Sequence, residues 1–206
     1  MDYFSIQANT IIKGLNRRNM AGYYVENKQE ALKKVLELID KEQSIGMGGS
    51  ETIKEIGLVD ILRNDGYNFI DRERGQTHEQ RADLMRQCLV SDIFLMSTNA
   101  ITLDGQLVNI DGNSNRVAAL CFGPHQVIIV VGKNKVVADV ESAIKRIRTM
   151  ACVPNAQRLS LKTPCALTGK CSECLEGTMC AQEVITRYSR EKDRIKVILV
   201  GEGLGY

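Results

Sequence analysis

Apolar residues recur along much of this chain either at the spacing of a helix face or in short runs of strand length. In residues 30–40, EALKKVLELID, the positions Ala31, Leu32, Val35, Leu36 and Ile39 fall on one face of a helix. Residues 43–46 read as a short strand, and Ser50 as the cap of a helix over 51–56 that Gly57 interrupts or ends. A strand is predicted at 67–71, a helix at 79–90 burying Ala82, Leu84, Met85, Cys88 and Leu89, and a strand at 92–97. The alternation then changes. Residues 100–103 and 106–110 are apolar-rich runs joined by Asp104-Gly105, the signature of a tight antiparallel hairpin. A helix at 113–120, a buried strand at 127–131, a helix at 139–150 with Val140, Ala143, Ile144 and Ile147 on one face, and a last strand at 195–200 complete the pattern.

Strands alternating with helices predict an α/β fold, a three-layer sandwich with a mainly parallel sheet covered on both faces. The hairpin is an antiparallel insertion, and a cysteine-rich C-terminal segment at 152–182 breaks the alternation. In such sheets ligands gather at the C-terminal ends of the strands. The 206 residues suit one domain over 1–206, and with 44% hydrophobic residues, 25% charged residues and only three prolines the whole chain is expected to fold. No run approaches the roughly 18 apolar residues of a membrane helix, and the first residues lack the order of a secretory signal. A cytoplasmic protein is therefore expected. The net charge of +2 comes from interspersed acids and bases, without the basic stripe that nucleic acid binding requires.

Seven cysteines, an odd number in a chain without an export signal, point to thiols and metal rather than to disulfides. Cys88, Cys121 and Cys152 are dispersed in apolar surroundings and read as buried free thiols. Cys165, Cys171, Cys174 and Cys180 fall within sixteen residues, separated by Gly169 and Gly177, in a segment too poor in large apolar residues to order itself. Four thiolates in a turning loop suit an iron–sulfur cluster or a tetrahedral zinc ion. A redox pair at Cys171 and Cys174 is the alternative without metal.

Two further segments carry candidate chemistry. After the strand at 43–46, Gly46, Gly48 and Gly49 lead into the helix capped by Ser50, a turn able to receive an anion. Glu51 stands where a dinucleotide fingerprint needs its third glycine, which weakens a nicotinamide reading. The stretch NAITLDGQLVNIDGNSNR crowds Asn99, Asp104, Asn109, Asp111, Asn113, Asn115 and Arg116 around a hairpin and a turn. Asp104 and Asp111 are candidate general acids or bases, although each precedes glycine and suits a plain turn; Arg116 can hold a carboxylate or phosphate. His78 and His125 have no ligand spacing, and Glu202 follows the last strand at the edge where α/β sites form.

Together GGSETI, STNAITLDGQLVNIDGNSNRVAAL, FGPHQVIIVVGKNKVV and TPCALTGKCSEC resemble, in this order and over nearly the whole chain, the lactate-utilization (LUD) family. The resemblance implies a fold like that of the sugar-phosphate isomerase and CoA-transferase superfamily, with a cleft at the strand ends. It also implies a role in oxidising lactate to pyruvate beside partners that carry iron–sulfur clusters and pass electrons onward. By the same resemblance the glycine turn is Gly48, Gly49 and Ser50 with Thr52, the polar hairpin runs from Asn99 to Asp104, and the asparagine-rich turn from Asp111 to Arg116. Two functions stay open. One is a redox component of hydroxy-acid utilization with an iron–sulfur or other metal site at Cys165, Cys171, Cys174 and Cys180. The other is a small-molecule enzyme or binding protein for a phosphate, carboxylate or CoA ligand, with zinc in a structural role. The expected partners are a small anionic metabolite, electron-transfer proteins and a second copy of the chain.

Overall fold

A computed structural model describes residues 3–206. Its strands, in chain order, are β1 (Ala21–Val25), β2 (Ile45–Met47), β3 (Phe69–Ile70), β4 (Ile93–Met96), β5 (Ala100–Thr102), β6 (Leu107–Asp111), β7 (Gln126–Gly132), β8 (Val136–Val137), β9 (Gln182–Thr186) and β10 (Ile195–Val200). The helices are α1 (Tyr3–Arg17), α2 (Lys28–Glu37), α3 (Glu51–Glu55), α4 (Leu58–Asn64), α5 (His78–Gln87), α6 (Asn115–Cys121), α7 (Val140–Arg146), α8 (Cys152–Arg158) and α9 (Pro164–Thr168). Six strands form a parallel sheet in the order β1-β10-β7-β4-β2-β3, and four form a smaller mixed sheet in the order β8-β5-β6-β9.

The parallel sheet is buried on both faces, as its crossover helices demand. Successive residues of a strand point to opposite faces, so β7 gives Val127, Ile129 and Val131 to one core and Ile128 and Val130 to the other. β4 divides likewise, with Phe94 and Met96 against Ile93 and Leu95. On the first face lies α1, whose Phe4, Ala8, Ile11 and Leu15 make one stripe; on the second lie α2, α3 and α4. The smaller sheet builds a third core with α7, where Ala100, Val108 and Ile110 meet Ala143 and Ile147.

The expected α/β architecture is present, with the hairpin where the Asp-Gly pair predicts it: Ala100 pairs with Val108 and Ile101 with Leu107, and Gly105 turns at φ 87°. Three expectations are corrected. The helix predicted at 79–90 ends at Gln87 and fully buries none of its residues; Cys88 is buried, and Leu89 packs partly buried against the core, in the following 3-10 turn. The helix predicted to stop at 150 continues through one wide π turn, Ile147–Ala151, into α8, and the turn lies just before Pro154, whose missing N–H interrupts the regular hydrogen-bond ladder. The cysteine-rich stretch is not wholly irregular, because it contains α9 and ends in β9, which pairs antiparallel with β6. Among the described residues no helix is long and apolar enough to cross a membrane.

Helix α1 also anchors the hairpin. Gly14 presses so closely on the turn that a Cβ there would lie 2.3 Å from the Asp104 carbonyl oxygen. Just beyond the helix, Arg18 donates from Nε to that carbonyl at 2.8 Å and from its guanidinium to the Asp104 carboxylate. Alanine in place of glycine in a helix ordinarily gains about 1 kcal/mol. Here the clash is with backbone, which cannot swing aside, so Gly14→Ala is expected to destabilise the fold by about 1–3 kcal/mol. Urea denaturation reads the sign directly, and a variant as stable as the parent or more so would show that the hairpin does not rest on α1.

Candidate functional site

Where the parallel strands end, their loops converge on a cleft of about 390 Å³. β2 delivers Gly49, Ser50 and Thr52; β3 delivers Arg72; β4 delivers Ser97 and Asn99; β7 delivers Lys135; and β10 delivers Gly205 and Tyr206. The smaller sheet and α6 add Asp111, Asn113, Asn115 and Arg116, and α8 closes one side with Cys152, Asn155 and Arg158. This is the position at which an open parallel sheet exposes its loops to a ligand.

Arg116 organises the floor. Its Nη1 donates to the Ser97 carbonyl at 3.0 Å and to Asn109 Oδ1 at 2.6 Å, and its Nη2 donates to Asn99 Oδ1 at 2.9 Å and to the Ile110 carbonyl at 3.0 Å. Asp111 Oδ2 lies 3.2 Å from Arg116 Nε, near enough to balance the charge but off the line of the N–H, so that this buried oxygen accepts no hydrogen bond from the described residues. Burial pulls the Arg116 pKa below its ordinary value while the Asp111 carboxylate opposes that shift. A guanidinium stays charged even so.

The glycines of the turn are explained by space. None of Gly46, Gly48 and Gly49 has a positive φ, so the expected tight backbone turn is not what selects them. A Cβ on Gly46 would meet Cys88 at 2.7 Å, one on Gly48 would meet the Arg116 side chain at 3.1 Å, and one on Gly49 would meet Arg72 Nη2 at 2.8 Å. Gly48 is glycine because the stem of a buried arginine lies against it, whereas the Arg72 guanidinium beside Gly49 is the end of a long side chain that can swing aside. Ser50 caps α3 by accepting from Ile53 N at 3.2 Å.

Lys135 is the residue that sequence reasoning missed. It is only 4% exposed, and its Nζ donates to Thr52 Oγ1 at 2.8 Å and to Ser97 Oγ at 3.0 Å. It has no ion pair among the described residues. Burial, with the nearby charges of Arg146 and Arg116, pushes its pKa down from 10.5 to about 7, against a weak opposing pull from Glu55. Arg146 is itself buried, donating to the carbonyls of Asn134 at 2.8 Å and Asn99 at 2.9 Å. In the sequence Lys135 belongs to GKNK, which reads as a polar loop, and no spacing marks it out.

The thiols are gathered differently from expectation. Cys152, read as an isolated apolar thiol, lies at the cleft wall with its Sγ 3.6 Å from Cys180 Sγ. The contact holds the Cys152 proton on its sulfur and draws the Cys180 pKa down to about 7, with Arg148 helping. Cys165 is buried against the Thr163 hydroxyl at 3.3 Å, Cys174 points to Thr178 Oγ1 at 3.8 Å, and Cys171 is partly exposed. Cys121, expected to be buried, is exposed. Two thiolates on one tetrahedral zinc, each about 2.3 Å from the metal, stand roughly 3.8 Å apart, and the Cys152–Cys180 pair at 3.6 Å comes near that separation. The sulfur donors suit a thiophilic metal in kind, but among the described residues no three His, Cys, Asp or Glu side chains converge into a ready coordination sphere.

Of the residues singled out in the sequence, the cleft brings together Gly49, Ser50, Thr52, Asn99, Asp111, Asn113, Asn115 and Arg116, with Gly48 packed behind Arg116. Asp104 does not join them. Its carboxylate is taken up by Arg18, by the Thr102 hydroxyl and, at 3.2 Å, by Gln106 Nε2, so it fastens the hairpin outside the cleft lining. Glu202 accepts from Lys28 N at 3.0 Å and secures the start of α2.

The fold and the cleft define an α/β domain with a cleft rich in basic residues at the C-terminal ends of a parallel sheet. The chain belongs to the LUD domain family, whose model matches residues 8–200. A DUF162 family protein from Deinococcus radiodurans shares the fold, with a TM-score of 0.53 at 14% identity over 97% of this chain and 99% of that one. Ribose 5-phosphate isomerase A from Methanocaldococcus jannaschii aligns more partially, with a TM-score of 0.37 at 14% identity over 64% of this chain and 62% of that one. A search of curated proteins by sequence gives no match.

The buried lysine makes stability depend on pH. Its folded pKa is about 7 and its ordinary value 10.5, so between these values unfolding takes up a proton. This contribution to stability rises with pH across that window and is least favourable below it, where the folded protein must also bury the charge. Lys135→Met is therefore expected to flatten the rise of the urea midpoint with pH between about 7 and 10.5. Parallel curves for variant and parent would show that the folded protein keeps Lys135 charged.

Proposed function

We propose that this LUD domain binds a small carboxylate metabolite in the cleft and serves as a redox component of hydroxy-acid utilization. The observation that carries the reading is the imbalance of charge at the strand ends. Three arginines, Arg72, Arg116 and Arg158, line the cleft together with Lys135, against two acids, Asp111 and Glu51. Both acids are already engaged, Asp111 with Arg116 and Glu51 with Lys54 and Arg158. Arg72 has no carboxylate partner among the described residues; Gly49 leaves its guanidinium room beside the turn. A ligand carboxylate there completes a charge-assisted pair of the kind guanidinium forms best. Asn113 and Asn115 supply polar contacts along the rim, and Asp111, facing the cleft, is the candidate to exchange a proton with a bound hydroxy acid.

In this reading Cys165, Cys171, Cys174 and Cys180 hold the metal, with Cys152 beside them. When bound, an iron–sulfur cluster supplies one-electron transfer, and electron-transfer proteins are then the partners. Zinc in the same thiols supplies only a crosslink and supports the second function, a binding protein or enzyme for a phosphate, carboxylate or CoA ligand.

Lactate, pyruvate or inorganic phosphate is expected to raise the melting temperature, and Arg72→Gln to weaken the response by about ten- to a hundredfold in affinity, the worth of one charge-assisted hydrogen bond. A melting temperature indifferent to all three would remove the cleft from consideration. For the thiols, protein purified without oxygen is expected to contain iron and sulfide and to show a visible band that dithionite bleaches. Zinc alone, without colour, would transfer the case to the second function.

A further inference from the structure

We propose that Lys135 is a covalent binding residue, forming an imine with a small anionic carbonyl compound held in the cleft. The inference rests on the anion-binding reading above and adds to it the substrate class, a carbonyl compound with a carboxylate or phosphate.

The geometry comes first. Lys135 Nζ lies at the cleft within reach of two hydroxyls and no carboxylate. A lysine buried for structural reasons is ordinarily paired with an acid, because an unpaired buried ammonium is costly. Here the charged groups that face it from the surrounding elements are Arg146 of α7 and Arg116 of α6, with Glu55 of α3 as a weak counterweight. The neutral amine is the form this environment favours. Thr52 Oγ1 and Ser97 Oγ accept its two protons, which leaves the nitrogen lone pair as its remaining direction. The last loop packs closely against it, so the open approach is from the cleft. Gly205 stands at φ 58°, and a Cβ there would come within 2.6 Å of Thr52 Oγ1 and 3.2 Å of Lys135 Nζ.

A desolvated lysine beside other cations is the activated form of this nucleophile. The chemistry balances without a further reagent. The nitrogen lone pair attacks the carbonyl carbon, the carbonyl electron pair moves to oxygen, and the oxygen collects a proton to give a carbinolamine. Expulsion of that hydroxyl as water, with loss of the remaining proton from nitrogen, leaves a carbon–nitrogen double bond. The arginines hold the anionic end of the compound while the carbonyl meets Nζ.

The test is reductive trapping of the intact protein. Pyruvate and, separately, dihydroxyacetone phosphate are added with sodium cyanoborohydride near neutral pH, and the product is read by intact mass and peptide mapping. One reduced adduct per chain is expected, located on Lys135 and lost in Lys135→Arg and Lys135→Met, both checked for folding by circular dichroism. Labelling by pyruvate alone assigns a 2-oxo acid, and by dihydroxyacetone phosphate alone a sugar phosphate. Label scattered over surface lysines, or undiminished in Lys135→Arg, would overturn the proposal. Absence of label while pyruvate still raises the melting temperature would overturn the imine and leave the anion site standing. Absence of both would remove the two together.

Discussion

Much of the site depends on one buried guanidinium. Arg116, set in the first turn of α6, binds the end of β4 through the Ser97 carbonyl, the loop after it through Asn99, and β6 through Asn109 and the Ile110 carbonyl. The segments that build the floor of the cleft are thus held by one planar fork, whose hydrogen bonds have fixed directions. Removing it would take a donor from four buried oxygens, although Asn99 Oδ1 would keep Ile110 N and Asn109 Oδ1 would keep Asn99 N; a buried polar atom left without any partner costs about 1–3 kcal/mol. Its neighbours are fitted to it. Gly48 has no side chain because the Arg116 stem occupies that space, and Asp111 stands beside Nε to balance the charge.

A positive centre fixed in this way constrains whatever is built around it. A second cation nearby is disfavoured, and burial disfavours it further, so an amine at Lys135 shifts toward its neutral form while the guanidinium of Arg146 remains charged. The two kinds of basic residue therefore divide the work: arginine supplies charge that pH does not remove, and lysine supplies a group that can give up its proton near neutrality. A cleft lined in this manner is an unfavourable place in the empty protein and a favourable one around an anion, the usual relation between a binding site and the stability of its fold.

The sheet was legible because its strands are short apolar runs between helical patterns, and the hairpin because Asp104-Gly105 names its own turn. The crowding of polar residues from Asn99 to Arg116 marked the floor of the cleft for the same reason: so many side chains able to bond backbone groups exceed what a connection needs. The surroundings of Asp104 were not legible in the same way. Asp-Gly reports local turn geometry, and whether the carboxylate then faces a cleft or an arginine from another helix depends on Arg18, 86 residues away. Lys135 and Cys152 were illegible for a similar reason. Each looks ordinary among its sequence neighbours, and each acquires its character from groups brought by the topology: Thr52 and Ser97 for the lysine, Cys180 for the cysteine. The strand β9, exposed in much of its length, carries no strong alternation of its own and is recruited by the edge of β6.

The cysteine segment and the cleft are mechanically one region. Met179 packs so closely on Gly112 that a Cβ there would lie 3.0 Å from its carbonyl oxygen, and Ala181 N donates to the Asp111 carbonyl at 2.9 Å. Cys180 lies between these two contacts, and its sulfur touches Cys152 at the head of α8, just after the π turn, with Asn155 and Arg158 one and two turns further along the same helix. Any event that orders or rearranges the thiols, by metal or by oxidation, acts on the strand that supports Asp111 and on the helix that carries Arg158. The wall of the cleft has no large buried side chain to fix it independently, since α8 buries only Cys152 and Ala156. The sulfur atoms and the walls of the cleft are consequently joined through short, named contacts and not through the sheet, which is packed on both faces and has little freedom to move.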